Sequence, residues 1–146
     1  MHNYPSVNES DIRLVHRGAD PEQFPLGFSP VDAWRDEMFT AYPQLRDQKI
    51  LLMPGRLSRW KGQLDFIDLV AVLKRQGQAV CGLVAGSSDG AKQSYEEELR
   101  QRARELDIED SLIFLGHRTD MAELYGFADI VFNLSNRPEP FGRTVT

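Results

Sequence analysis

The chain has a single cysteine, Cys81, so it can form neither an intrachain disulfide nor a cysteine-cluster metal site. A reducing compartment is the natural setting for such a composition, with Cys81 itself a small core residue. No apolar run approaches the roughly 20 residues that a membrane-spanning helix needs. The opening Met1-His2-Asn3-Tyr4-Pro5 carries neither the basic nor the apolar region of a signal peptide, so a cytoplasmic location is expected. Positive charge is also short: 17 Lys and Arg stand against 22 Asp and Glu, a net charge of −5, which argues against nucleic acid or an anionic membrane as partner. The three histidines, His2, His16 and His117, are too scattered to complete a metal set or a nucleophile–base pair. A G-x-G-x-x-G fingerprint is missing, which removes the usual dinucleotide site. Repeats, low-complexity segments and heptads are absent as well.

What remains is the composition of one soluble globular domain. With 41% apolar and 27% charged residues, 146 residues suffice for a core that removes roughly 68–70% of the unfolded chain's surface from water. Residues 1–11 are polar and read as a loop or linker remnant. Residues 12–146 read as the folded domain. Within it, Ile12-Arg13-Leu14-Val15-His16 alternates like a short strand. Ser29-Pro30 offers an N-cap and first-turn pair for a helix to about Tyr42, with Trp34, Met38 and Phe39 on one side. From Lys49 onward the pattern is apolar runs separated by amphipathic stretches. The runs are Ile50–Met53, Val80–Ala85, Leu112–Leu115 and Ile130–Leu134; the helical stretches carry Leu64, Ile67, Val70, Ala71 and Leu73, then Tyr95, Leu99, Ala103 and Leu106, then Thr119 to Phe127. Continuous apolar strands between amphipathic helices predict an α/β fold, a doubly wound parallel sheet covered on both faces. Right-handed crossovers then bring every strand-to-helix turn to one edge, where such folds bind ligands.

Four segments fall at that edge. Gly55 and Arg56 end one strand, and Lys61-Gly62 is expected to open the next helix, so two cations and free amides would face one crevice, an arrangement suited to a diphosphate. Gly86-Ser87-Ser88 allows close approach of a ligand, or serves as an ordinary turn. His117 and Arg118 follow the third run, with Thr119 as a candidate N-cap. Glu139, bracketed by Pro138 and Pro140, holds a carboxylate on a stiff loop where sugar hydroxyls could donate to it, and Phe141-Gly142-Arg143 brings backbone amides alongside. The Glu96-Glu97-Glu98 run against Arg100, Arg102 and Arg104 reads as a solvated helix face held by i,i+4 pairs, with no chemistry.

Together with Val15-His16-Arg17-Gly18-Ala19-Asp20, which is similar to a V-x-N-G-V-D interdomain segment, these motifs resemble the donor-binding, Rossmann-like half of a retaining GT-B glycosyltransferase. The family is the large one that includes sucrose synthase and bacterial mannosyl- and glucosyltransferases, and the likeness covers about residues 12 to 146. It implies a nucleoside diphosphate sugar as partner, no cofactor and no metal. It also implies a truncated chain, since Thr146 comes one residue before the second glutamate of an E-x7-E motif beginning at Glu139, and the N-terminal acceptor domain is missing. By the resemblance Arg56, Lys61 and Glu139 are the catalytic set. Gly55, Gly86, His117, Arg118, Phe141, Gly142 and Arg143 would contact donor base, phosphates or sugar. Arg17 departs from the usual asparagine. Such a piece is expected to be inactive by itself and to self-associate through uncovered surface. A non-catalytic nucleotide-binding module, or a GT-B relative such as a sugar-nucleotide epimerase or a phosphorylase, remains the alternative.

Overall fold

The computed structural model describes residues 20–22, 24–88 and 93–137. The expected strand at Ile12–His16 and the Glu139 to Arg143 segment lie outside them. The described elements, in order, are α1 (Asp32–Ala41), β1 (Lys49–Pro54), α2 (Gln63–Arg75), β2 (Val80–Ala85), α3 (Gln93–Glu105), β3 (Leu112–Gly116), α4 (Met121–Phe127) and β4 (Ile130–Val131). Short 3₁₀ turns precede β1, α2 and β3, at Pro43–Leu45, Arg59–Lys61 and Glu109–Ser111.

The four strands form one parallel sheet in the order β3-β2-β1-β4. This is the Rossmann-like α/β architecture that the alternation of runs and helices predicts. Each face has its own core, as a doubly covered parallel sheet requires. On one face Phe66, Ile67 and Val70 of α2 and Tyr95, Leu99 and Ala103 of α3 pack onto Leu51, Met53 and Val84. On the other, Met38 of α1 and Leu124 and Phe127 of α4 pack onto Ile50, Leu52, Cys81 and Leu83. Trp34 and Phe39 meet the Phe127 ring edge-on at 5.4 and 5.6 Å, so the predicted apolar side of α1 is the side buried. Cys81 is shut in this core, where burial pushes its thiol up to about 11.

Three boundaries differ from the sequence expectation. Helix α1 begins at Asp32, with an extended Val31 as cap and no side-chain cap bond, rather than on Ser29 and Pro30. The reason is tertiary: a Cβ on Gly126 of α4 would meet Phe28 O at 2.8 Å and Pro30 Cδ at 3.1 Å, so this stretch is held against α4 instead of turning into the helix. Thr119 is likewise replaced by Asp120 as the cap of α4. The run Ile130–Leu134 is in register with β1 only at Ile130 and Val131; Phe132 N–H still donates to Leu52 O at 2.8 Å, and by Leu134 the chain lies against Gly62 at the start of α2. Asp129 anchors β4 where it enters the sheet. Its carboxylate accepts from Ile50 N–H at 2.7 Å and Lys49 Nζ at 2.8 Å, and these bonds, the lysine's first, hold its pKa below the ordinary value.

Candidate functional site at the carboxyl edge of the sheet

Strand β1 lies between β2 and β4; the connection out of β1, through α2, packs on one face of the sheet, and the connection into β4, through α4, packs on the other. That makes the gap above β1 and β4 the topological switch point, where open α/β sheets leave a crevice. The loops around it are joined backbone to backbone. Gly55 N–H donates to Ala85 O at 2.8 Å and Leu57 N–H to Ser87 O at 3.1 Å, tying the loop after β1 to the loop after β2. A Cβ on Gly86 would sit 2.0 Å from Gly55 O, so the missing side chain of Gly86 is needed by the protein's own backbone. The loop after β4 is fastened just as closely. Asn136 N–H donates to Trp60 O at 2.9 Å, and a Cβ on Gly62 would lie 2.3 Å from Leu134 O.

Arg56 follows Gly55 at the β1 exit and holds its position partly through its carbonyl, which accepts from Gln63 Nε2 at 3.1 Å. Lys61 closes the 3₁₀ turn, and Gly62, left-handed at φ 83°, caps α2, which begins only at Gln63. Lys61-Gly62 therefore opens the helix as expected, Gly62 as its cap and the acceptor of its first hydrogen bond, from Phe66 N–H at 3.0 Å. The Lys61 side chain lies beside Gly55 at the exit of β1: a Cβ on Gly55 would be 3.9 Å from its Cδ and Cε, and Nζ lies 4.7 Å from the centroid of the Trp60 ring. Arg56, Lys61, Gly55 and Gly86 are thus gathered at one place.

Next to them is a cavity of about 470 Å³ lined by Arg56, Ser58, Arg59, Trp60, Tyr95, Asn136 and Arg137. Arg59 donates to both carboxylate oxygens of Glu98, at 2.7 and 2.5 Å, and its guanidinium carbon lies 5.1 Å from the Tyr95 ring centroid. The hydrogen bond to Glu98 raises the Arg59 pKa further. Burial, and then the Glu98 charge, raise that of Tyr95. The Glu96-to-Arg104 stretch is accordingly not a purely solvated face. Glu98 orients a cavity arginine, and Arg102 reaches Asp68 of α2 at 2.9 Å, while Glu96–Arg100, at 2.8 Å, keeps the expected i,i+4 form.

His117 and Arg118 stand at the end of β3, after Gly116 in a left-handed conformation at φ 67°. Arg118 grips Asp120 with two nitrogens, Nε at 2.8 Å and Nη2, and Trp34 Nε1 donates to the same carboxylate at 2.8 Å. The Arg118 hydrogen bond is the first cause of a lowered Asp120 pKa, opposed by partial burial. This network ties α1 to the start of α4. Glu139, Phe141, Gly142 and Arg143 lie outside the described residues; in the sequence their segment follows directly on the cavity residue Arg137.

Sequence reasoning missed Arg59, Trp60, Tyr95, Asn136 and Arg137. The first two sit between Arg56 and Lys61, so the loop itself was the available signal. Tyr95 has core periodicity and is indeed buried, and Asn136-Arg137 carries no motif. Among the described residues no three His, Cys, Asp or Glu side chains come together, and no helix is long and apolar enough to cross a membrane.

Comparison with known proteins adds three findings. The family model described as glycosyl transferases group 1 matches residues 35–146. A mannosylfructose-phosphate synthase of Agrobacterium fabrum is 36% identical over 143 residues, which is 94% of this chain and 30% of that protein. The structure of Alr3699/HepE from Anabaena, solved in complex with UDP and glucose, superposes with a TM-score of 0.72 at 28% identity, over 86% of this chain and 32% of that one. The chain therefore spans about a third of the length of these two relatives.

Proposed function

Since the chain belongs to the family of glycosyl transferases group 1, we propose that it is the donor-binding part of an enzyme that moves a sugar from a nucleoside diphosphate sugar to an acceptor. On this reading residues 12–146 are the nucleotide-sugar-binding domain, and an N-terminal acceptor domain completes the crevice. The observation that carries the proposal is the gathering of Gly55, Arg56, Lys61 and Gly86 at the switch point of the sheet. The complex of the Anabaena relative with UDP and glucose supports the same ligand class.

Arg56 and Lys61 face the diphosphate. Negative charge grows on that group as the sugar departs, and cations already fixed in place stabilise it without reorganisation. At an effective dielectric of about 20 a contact at about 4 Å is worth on the order of 4 kcal/mol before desolvation is subtracted. Glu139 accepts from hydroxyls of the transferring sugar, and Phe141, Gly142 and Arg143 offer backbone amides to sugar and phosphate. His117 and Arg118 border the base, His117 through its backbone; Arg118, held by Asp120, presents a fixed plane there. Transfer with retention at the anomeric carbon and without metal is part of the proposal.

The test is calorimetric titration of the chain with UDP, GDP and ADP. Binding of one of them, weakened in Lys61→Ala, is the expected result; equal affinity of wild type and variant for all three removes the diphosphate assignment. The chain by itself is expected to bind donor and transfer nothing, because positioning of both substrates supplies up to about 7–11 kcal/mol of the barrier and the acceptor half of the crevice is not within these residues. Transfer by the 146-residue chain at the rate of a chain extended to the length of its relatives would sink that expectation.

A further inference from the structure

Gln63 is a polar side chain in an apolar place. It shares the buried face of α2 with Phe66 and Ile67, three and four residues further on, and is only 1% exposed. Its Oε1 is buried with no hydrogen-bond partner among the described residues. A buried carboxamide left half-satisfied lowers stability, and an apolar side chain of similar volume would remove that cost. Gln63 does not line the cavity, so contact with a ligand there does not account for it.

Its other end makes a bond with a specific address. Nε2 donates to Arg56 O at 3.1 Å, and because the acceptor is a carbonyl, the amide nitrogen is the end that must point there. That carbonyl belongs to the peptide group between Arg56 and Leu57, whose N–H donates to Ser87 O at 3.1 Å. One peptide plane is therefore held at both ends, by α2 and by the loop after β2. The peptide group before Arg56 is held as well: a Cβ on Gly86 would stand 2.0 Å from Gly55 O, 2.7 Å from Gly55 C and 3.3 Å from Arg56 N, so Gly86 packs directly against it. With both flanking planes fixed, the two soft dihedrals of Arg56 are fixed, and so is the direction in which its side chain leaves the backbone. Leu57 beyond it is locked into the core at 1% exposure. Gln63 supplies the side-chain bond in this clamp.

We propose that Gln63 is a positioning residue for nucleotide binding: its buried carboxamide fixes the peptide group after Arg56 and thereby aims Arg56 at the diphosphate. The proposal rests on the donor reading above, in which Arg56 faces that group. A cation whose backbone is already fixed binds an oxyanion without giving up conformational freedom at that moment, so the tether is felt as affinity rather than as stability. The orphaned Oε1 is the local cost of that arrangement.

The experiment is a double-mutant cycle on the 146-residue chain. Gln63→Met, which keeps length and volume but removes the donor, is combined with Arg56→Gln, and wild type, both single variants and the double variant are titrated with UDP, GDP and ADP by calorimetry. Gln63→Met is expected to weaken the nucleotide that binds by about three- to ten-fold, the worth of one neutral hydrogen bond, with a thermal midpoint close to that of wild type. Amide exchange should quicken at Leu57 and stay slow at Gly55, whose bond to Ala85 O does not depend on the tether. The coupling is decisive. With Arg56→Gln already in place, Gln63→Met should weaken binding by less than about two-fold, because Gln63 acts through Arg56. A glutamine that only supports the fold produces the same loss in both backgrounds, and equal losses would overturn the proposal. So would unchanged affinity, or unchanged exchange at Leu57, in Gln63→Met. Gln63→Leu repeats the cycle should the methionine variant not fold. If UDP, GDP and ADP all fail to bind wild type, the donor reading falls and the proposal with it, whereas binding to wild type with equal losses removes the proposal alone.

Discussion

Asp120 shows how one side chain can link the fold to the edge where chemistry is proposed. Its carboxylate receives Arg118 from the β3 exit and Trp34 from α1, and three-quarters of the side chain is shielded. Asp120→Asn keeps an acceptor for Trp34 but removes the charge facing Arg118, and should destabilise the chain by about 1–2 kcal/mol, the lower part of the charged hydrogen-bond range because the pair is partly wet. The pH dependence has a definite sign. The folded-state pKa of Asp120 is depressed, so its contribution is fully present above the ordinary carboxylate value of about 3.9 and is lost as pH falls through the depressed value. Urea midpoints measured from about pH 5 to about pH 2 should fall less steeply in Asp120→Asn than in wild type, Asp129 supplying a remaining slope of the same sign. Parallel curves would mean the pair contributes nothing. At the proposed diphosphate site, Lys61→Ala should cost about 1.5–3 kcal/mol of nucleotide affinity with little change in stability, checked by calorimetry beside a thermal melt.

At the level of elements, the crevice is made by loops that share backbone contacts, and two glycines permit it. Gly62 is left-handed and lies under Leu134, so Gly62→Ala meets both backbone strain and a collision with Leu134 O at 2.3 Å. A loss of about 1–3 kcal/mol is expected from the strain alone. The Trp60–Asn136 bond should also loosen, visible as faster hydrogen exchange at the Asn136 amide. Gly86→Ala should separate the β1 and β2 loops by the same kind of collision, with Gly55 O, and raise exchange at Leu57. An alanine variant at either site with unchanged stability and exchange would show that these loops yield freely.

For the molecule as a whole, the sheet edge at β4 is open among the described residues. β4 pairs only with β1, and Ile130 and Val131 are 52% and 39% exposed, an uncovered apolar edge of the kind that recruits another strand. Self-association at high concentration is the expected outcome, and Val131→Lys should suppress it. Sedimentation velocity across a concentration series would check both; a strict monomer at millimolar wild type would exclude the edge as a contact.

The alternation of apolar runs with amphipathic stretches was enough to specify a parallel, doubly covered sheet, because strands such as Val80–Ala85 buried on both faces leave no other arrangement that hides them. Glycine and cation positions around Gly55, Arg56 and Lys61 were legible for a related reason: turns after parallel strands must lie at the carboxyl edge. What the tertiary structure alone decided were contacts between segments far apart in sequence. Pro30 looked like a helix start until α4 met it, Glu98 like a solvated charge until Arg59 reached it 39 residues away, and Asn136 like nothing at all until its amide met Trp60. Local pattern reports which face of an element is buried, whereas the lining of a cavity depends on which loops the crossovers bring together, and no periodicity encodes that.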